Sequence, residues 1–473
     1  MGIFSRRFAT QSNVVRRYAG QEVQGKDLRT PQLTLMTVGG IIGSGLFLAS
    51  GQAIRDAGPA LVFAYLIGAS AMAIEMTALA EMSAADPRRG SFLVYSREAL
   101  GPGFTFVGGW IFWFSSVLNL AAEATAAATF AKLWLPGLPT WVMSSAFALT
   151  IAGINFLTVK GFGEVESSMS MVKLSATALF ILLAAGVIFL GWPAQVGHGA
   201  AIWTDQGGFF PHGLAGVGAA MIVVMFSMSG TGVLGLAAAD VRQPERTFRT
   251  SVTYVTVAVY VLYIGAALAV TGLIGWRAVP PTTKSPFIVA LHALPWPVAT
   301  QIFNVVILLA VLSAMNAGMF ATDRVLAGLA RAGDAPRALA RMPAGIPRMA
   351  NAVTGGLLLV VSLLTYFLPK TAFLYLVTAT GFQAIFVWML IVATQIYYRR
   401  HLEEHHQHRL RFKLPLHPWL GRFELLLLAA IVATAPLAPR QILPLGIGVG
   451  ATALFAAIYL VFFRGRARTP DPT

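Results

Sequence analysis

Two stretches of this 473-residue chain, Gln206 to Ala239 and Thr250 to Trp276, contain no Asp, Glu, Lys or Arg. Each exceeds the ~20 residues that a helix needs to cross a bilayer. A chain that is 56% hydrophobic and only 11% charged is too apolar for an ordinary soluble domain. Strands of a membrane barrel would alternate apolar and polar residues instead, so the sequence predicts an all-α integral membrane protein. Twelve transmembrane spans are expected, at about 32–54, 59–82, 100–132, 140–158, 166–191, 212–239, 250–275, 297–331, 348–368, 371–398, 421–438 and 442–463.

The distribution of charge orients these spans. With both termini cytoplasmic, the outer segments hold Arg55, Lys132, Arg277, Lys284, Lys370 and Arg440, Lys173 lies within a span, and the rest of the 34 Lys and Arg fall on the inner side. The formal charge of +15 therefore belongs to topology and to anionic lipid headgroups, and no aromatic-interleaved basic patch points to nucleic acid. The basic amino-terminal segment precedes a span of full length, so no cleavable signal peptide is expected. Without cysteine there is no disulfide, thiolate metal site or thiol nucleophile. The run His401 to His408 has spacing that suits a metal, but a solvated cytoplasmic loop is the expected reading. The segment from Arg277 to Pro295 is apolar enough to form a short helical cap on the outer side.

Two spans carry small, flexible residues at mid-depth: Gly39-Gly40-Ile41-Ile42-Gly43-Ser44-Gly45 in the first, and Ser227-Met228-Ser229-Gly230-Thr231-Gly232 in the sixth. Unpaired backbone groups cost several kcal/mol each in hydrocarbon, so a helix unwinds there only where protein, a cavity or a ligand satisfies it. A broken helix offers free N–H groups at the start of one half and free C=O groups at the end of the other. An amino acid brings the complementary carboxylate and ammonium. Gly43, Ser44 and Gly45 suit the carboxylate, and carbonyls around Phe226, Ser227 and Ser229 suit the ammonium. Helix packing through small residues is the alternative for either run alone. Their placement in the first and sixth of twelve spans favours an inverted repeat.

In these residues the chain resembles the amino acid-polyamine-organocation superfamily, specifically its bacterial amino acid permeases of the amino acid transporter family. The resemblance runs from about Asp27 to Arg400. It is carried by the run from Gln32 to Phe47, Ala57-Gly58-Pro59, Ala78-Leu79-Ala80-Glu81 with Gly90-Ser91-Phe92, Ala122-Glu123-Ala124-Thr125 and Val159-Lys160-Gly161-Phe162-Gly163-Glu164. Further carriers are Gly207-Gly208-Phe209-Phe210-Pro211, Phe226 to Thr231, and Asn316 to Pro336.

The resemblance implies a LeuT-type fold of two inverted five-helix repeats plus two C-terminal helices, with helices 1 and 6 discontinuous. The expected organisation is a cytoplasmic tail (1–30), a first repeat (31–191), a second repeat (192–400), a cytoplasmic loop (401–420), two final spans (421–465) and a short tail (466–473). The implied substrate-binding residues are Ile41, Gly43, Ser44, Gly45, Phe226, Ser227 and Ser229, with Phe226 also a gate.

A lysine in span five of similar proteins is matched by Lys173, whose ammonium stands where sodium-coupled relatives hold a cation. It implies proton coupling, with Glu123 as a second proton or gating group. Residue type alone leaves Lys173 open to snorkelling toward the interface, and Glu123 open to a structural hydrogen bond. Where many members have Glu after the Gly-Thr of span six, this chain has Gly232, which favours an uncharged substrate side chain. Glu75, six residues before Glu81, is not expected from the family, and pairing near the cytoplasmic face is its expected role. Asp240, Arg242, Glu245 and Arg246 are expected in gate or lipid-facing ion pairs, or as solvated topology charges.

The expected function is proton-coupled symport of a neutral amino acid across a bacterial cytoplasmic membrane, as a monomer or homodimer. The only coupling species is the proton, and no cofactor or metal is expected. An exchanger is the alternative transport mode. A non-transporting sensor has little support because the tails are short, and no nucleophile motif, metal pair or phosphate loop at membrane depth points to an enzyme.

Overall fold

The computed structural model describes residues 29–87, 92–157, 162–191, 200–236, 241, 243–368, 371–405 and 411–463. Among them the chain is helical and contains no β-strand. Eight helical stretches are long and apolar enough to cross a membrane, and Gly213–Ser227 and Arg348–Leu364 are shorter apolar helices beside them. Large apolar side chains stand exposed around the bundle, among them Leu182, Phe189, Leu190, Val298, Leu426 and Val461. So much contiguous apolar surface requires lipid rather than water.

The first sequence run opens with α1 (Thr30–Ile41), which stops where Ile42 turns to an extended conformation. A π-helical turn, Gly45–Ala49, then leads into α2 (Ser50–Ala57). Gly58 adopts φ +63° and Pro59 follows, so the chain reverses before α3 (Leu61–Ala85), which ends at Asp86-Pro87. The short α4 (Leu93–Ala99) leads to α5 (Pro102–Ala131), with Pro102 at its first position where a missing N–H costs nothing. Fully buried Ala121, Ala122, Ala124, Ala126, Ala127 and Ala128 let neighbouring helices approach α5 closely.

Next come α6 (Thr140–Leu157), α7 (Phe162–Leu190) and the single turn α8 (Ile202–Asp205). The second glycine-rich run lies between α9 (Gly213–Ser227) and α10 (Gly232–Leu236). Then α11 (Pro244–Val259) continues through a π turn, Tyr260–Ile264, into α12 (Gly265–Ile274). A short helix α13 (Pro286–His292) forms within the segment expected to cap the bundle. Its Phe287 joins Phe47, Phe180 and Phe303 in an aromatic cluster, and Ser285 donates to Phe47 O at 2.8 Å.

The chain continues with α14 (Pro297–Arg331), α15 (Arg348–Leu364), α16 (Ala372–His405), α17 (Trp419–Thr434) and α18 (Pro439–Ile458). Helix α16 runs about two turns past the expected end at 398. Arg399 bonds Glu403 at 3.3 Å one turn on and Glu81 of α3 at 2.7 Å, which holds this extension against the bundle. Helix α5 packs on α14, α16 and α6, while α1 packs on α7 and α11.

Candidate substrate and ion site

The ends of α1, α2, α9 and α10 converge in the middle of the bundle. Gly230 takes φ +117°, and an added Cβ there would lie 2.5 Å from Gly40 O, so only glycine lets the two interruptions meet backbone to backbone. An added Cβ on Gly45 would stand 2.5 Å from the Ser227 Cα. The Tyr263 hydroxyl lies 2.7 Å from Ser227 O and 3.1 Å from Ile41 O, satisfying carbonyls at both interruptions with one donor.

The N–H groups that begin the second half of the first span face a carboxylate of the protein itself. Ser44 N donates to Glu123 Oε2 at 3.0 Å and Oε1 at 3.2 Å, and the Ser44 hydroxyl donates to Oε1 at 3.0 Å. This is anion binding at a helix start, with α5 supplying the anion. Gly43 leaves the room for it, since an added Cβ would come 2.6 Å from Glu123 Oε1. Across the break, Phe226 O accepts from Ser229 N at 3.0 Å and from the Ser229 hydroxyl at 2.7 Å.

Lys173 is 1% exposed and does not snorkel. Its Nζ donates to Gly39 O at 2.9 Å and lies 3.6 Å from Glu166 Oε1, while Ser313 of α14 donates to Glu166 Oε2 at 2.8 Å. An ammonium thus ties α1, α7 and α14 together. A buried ammonium is tolerable only with such partners.

The structure therefore gathers Ile41, Gly43, Ser44, Gly45, Phe226 and Ser227 with Glu123 and Lys173 in one polar core. The open space lies beside it. A cavity of about 100 Å³ is lined by Gly40, Ser229, Thr231, Phe112, Trp388 and Glu75, with further small residues of α5, α14 and α16. Of the predicted substrate residues, Ser229 alone borders it.

Sequence reasoning missed Glu166 and Tyr263. Glu166 sits seven residues before Lys173, the same face of a helix two turns earlier, so the spacing could have revealed it. Tyr263 lies in a charge-free run and becomes visible only when the two interruptions are placed in space. Glu75 departs from its expected role: it is fully buried, and neither carboxyl oxygen has a hydrogen-bond partner. The paired acid of this helix is Glu81, which holds Arg399. Asp240, Arg242 and residues 406–410 lie outside the described residues. Among those described, no cluster of three His, Asp or Glu could hold a metal.

A multi-pass helical membrane protein with interrupted helices meeting around buried charge belongs to the class of small-solute transporters. Comparison with known proteins narrows the class. Residues 32–465 match the amino acid permease family. The chain is 34% identical over 421 residues to an uncharacterised amino acid permease, YtnA, of Bacillus subtilis, covering 88% of this chain and 90% of that one. It is 32% identical over 410 residues to the gamma-aminobutyric acid permease of the same organism, covering 86% and 87% of the two chains. It is 33% identical over 414 residues to the aromatic amino acid transport protein AroP of Corynebacterium glutamicum, covering 86% and 89%. The chain belongs to the amino acid permease family. In fold it is similar to the manganese transporter of Eremococcus coleocola, with TM-score 0.59 at 13% identity, covering 91% of this chain and 93% of that one.

Proposed function

We propose that this protein imports a neutral amino acid together with a proton by alternating access, through a twelve-span bundle of two inverted five-helix repeats plus two C-terminal helices. The reading places it in a bacterial cytoplasmic membrane with both termini inside. The observation that carries it is the convergence of the two interruptions with Glu123 on the Ser44 N–H and Lys173 on Gly39 O. A substrate carboxylate seeking the start of the π turn that leads into α2 competes with Glu123 for the same Ser44 N–H. Protonation of Glu123 weakens its hold there, since a charged acceptor makes roughly twice as strong a hydrogen bond as a neutral one. Proton and substrate can then act on one equilibrium, which is the differential binding that coupling needs.

The Lys173 side chain occupies the space between α1, α7 and α14 and, as an ammonium, places a positive charge there. A sodium ion there would face that charge, so the proton is the favoured coupling ion. Relatives named for gamma-aminobutyric acid and for aromatic amino acids support an amino acid substrate without choosing one.

The test is uptake of a panel of radiolabelled amino acids into proteoliposomes under an inward proton gradient, an inward sodium gradient, or neither. Accumulation with the proton gradient alone, lost in Lys173→Ala, is the expected result. Movement that ignores gradients but requires amino acid inside would replace symport with exchange, and binding without movement would replace transport with sensing.

A further inference from the structure

Buried carboxyl groups in this bundle are almost all accounted for. Glu81 holds Arg399, Glu123 holds Ser44, Glu166 faces Lys173 and Ser313, Asp323 accepts from Asn351 at 2.9 Å, and Asp56 pairs with Arg440. Among the described residues, Glu75 of α3 and Glu424 of α17 are the two buried acids with neither oxygen hydrogen-bonded. Both are 0% exposed, they sit on helices α3 and α17 that pack against each other, and Glu75 borders the cavity beside Thr231 and Gly232. The Thr231 hydroxyl stands close to Glu75 without meeting hydrogen-bond geometry.

We infer that Glu75, together with Glu424, is a second proton-binding site of the transporter, set in the cavity wall and separate from the Lys173 and Glu123 core. Two uncompensated carboxylates at membrane depth cannot both be ionised, because each charge costs several kcal/mol to bury and they repel one another. Among the described residues, no cation is paired with either acid, and Arg422 of α17 lies over the Trp419 ring. Helices α9 and α10 contain no ionisable residue, and Arg399 of α16 is committed to Glu81. The charges of α11 that could approach, Glu245, Arg246 and Arg249, lie in its first two turns. The tyrosines of the neighbouring π turn are engaged, Tyr260 with Ser70 and Tyr263 with the two broken-helix carbonyls. Asp56 of α2 is paired with Arg440.

The site takes a proton from water in the cavity, forms one O–H bond on Glu75 and returns the same proton to water. While the pair is protonated, α10 and α17 can lie directly against α3, as they do here. Loss of the proton leaves a carboxylate that draws water and repels Glu424, which separates α10 from α3 and widens the cavity wall. The site thereby couples proton occupancy to the position of the second half of the interrupted sixth span. The coupling part of this inference rests on the transport reading above; the protonation part does not.

The first experiment is an infrared pH titration of the purified protein in lipid, following the carbonyl stretch of protonated carboxyl groups, with the proton itself as the probe. Expected is a buried-carboxyl band at neutral pH that Glu75→Gln removes and Glu424→Gln shifts. An identical band in wild type and in both variants overturns the site, whatever the transport assays show. In proteoliposomes, Glu75→Gln should keep exchange of the amino acid that wild type takes up while losing at least tenfold in gradient-driven accumulation. If instead the variant accumulates neutral amino acids normally and loses only lysine or a diamine, Glu75 reads a substrate amine, and the proton site is wrong. Size-exclusion profiles of both variants check folding, and the infrared comparison of Glu424→Gln stands if one variant fails.

Discussion

Glu81 and Glu75 sit six residues apart on the same helix, and both are completely buried. Glu81 is saturated: Arg399 Nη1 reaches both of its oxygens at 2.7 Å, Gln395 donates at 3.0 Å and Leu414 N at 2.6 Å. Neither oxygen of Glu75 meets hydrogen-bond geometry, and the Thr231 hydroxyl is the polar group close to it. One carboxyl ties α3 to α16 and to the segment leading into α17, and the other is left beside a cavity. A fully partnered buried charge resists change, whereas an unpartnered one responds to whatever small ligand reaches it. The comparison separates a structural acid from a responsive one within two turns of helix.

The largest effect should come from breaking the partnered side. Arg399→Ala leaves Glu81 buried without its counter-charge, and removing one member of a buried pair costs about 3–5 kcal/mol. Thermal unfolding in detergent should show a clear drop in midpoint. Glu75→Gln, by contrast, removes no hydrogen bond and should stay within about 0.5 kcal/mol of wild type or exceed it. Equal destabilisation by the two would erase the distinction.

Gly45→Val comes next, because it places side-chain atoms on the Ser227 backbone, where nothing flexible can yield. Overpacking of this kind costs about 1–3 kcal/mol, and the approach of α2 to α9 is lost. Uptake should be abolished in vesicles that still contain folded protein. A variant that transports normally would show that the two interruptions need not touch. Glu123→Gln tests the core in a milder way. Its amide oxygen still accepts the Ser44 N–H, but a charged partner is exchanged for a neutral one, a difference of about 1–2 kcal/mol. Substrate affinity should rise and its dependence on pH should flatten, because the competing anion is gone.

Much of this arrangement is legible in the chain. Charge-free runs announce the membrane, and glycine with serine at mid-span marks where α1 and α9 end. Lys173 and Glu123 stand out as ionisable residues in apolar surroundings. What the chain does not reveal is which charge meets which. Glu123 reaches Ser44 across 79 positions, Glu81 reaches Arg399 across 318, and nothing local to either sequence segment encodes the meeting. Helix rotation decides whether an acid faces a partner or a cavity. Rotation turns Glu81 toward Arg399 and leaves Glu75, six residues earlier, facing the cavity.

Tyr263→Phe should give the smallest effect and the most specific one. The substitution keeps the ring, which packs edge-on against Tyr65 with centroids 5.3 Å apart, and removes only the hydroxyl shared by Ser227 O and Ile41 O. Loss of one such buried hydrogen bond costs about 1 kcal/mol. The effect falls at the junction of the two interruptions rather than on the scaffold around them. Thermal stability should therefore change little, while the two half-helices, no longer joined by a common donor, shift more freely relative to one another. Counterflow and gradient-driven uptake should both fall several-fold, in contrast to Glu75→Gln, which should spare counterflow. Unchanged uptake in Tyr263→Phe would show that backbone approach at Gly230 and Gly45 is enough to hold the junction, and that the hydroxyl only satisfies carbonyls the fold already leaves in place.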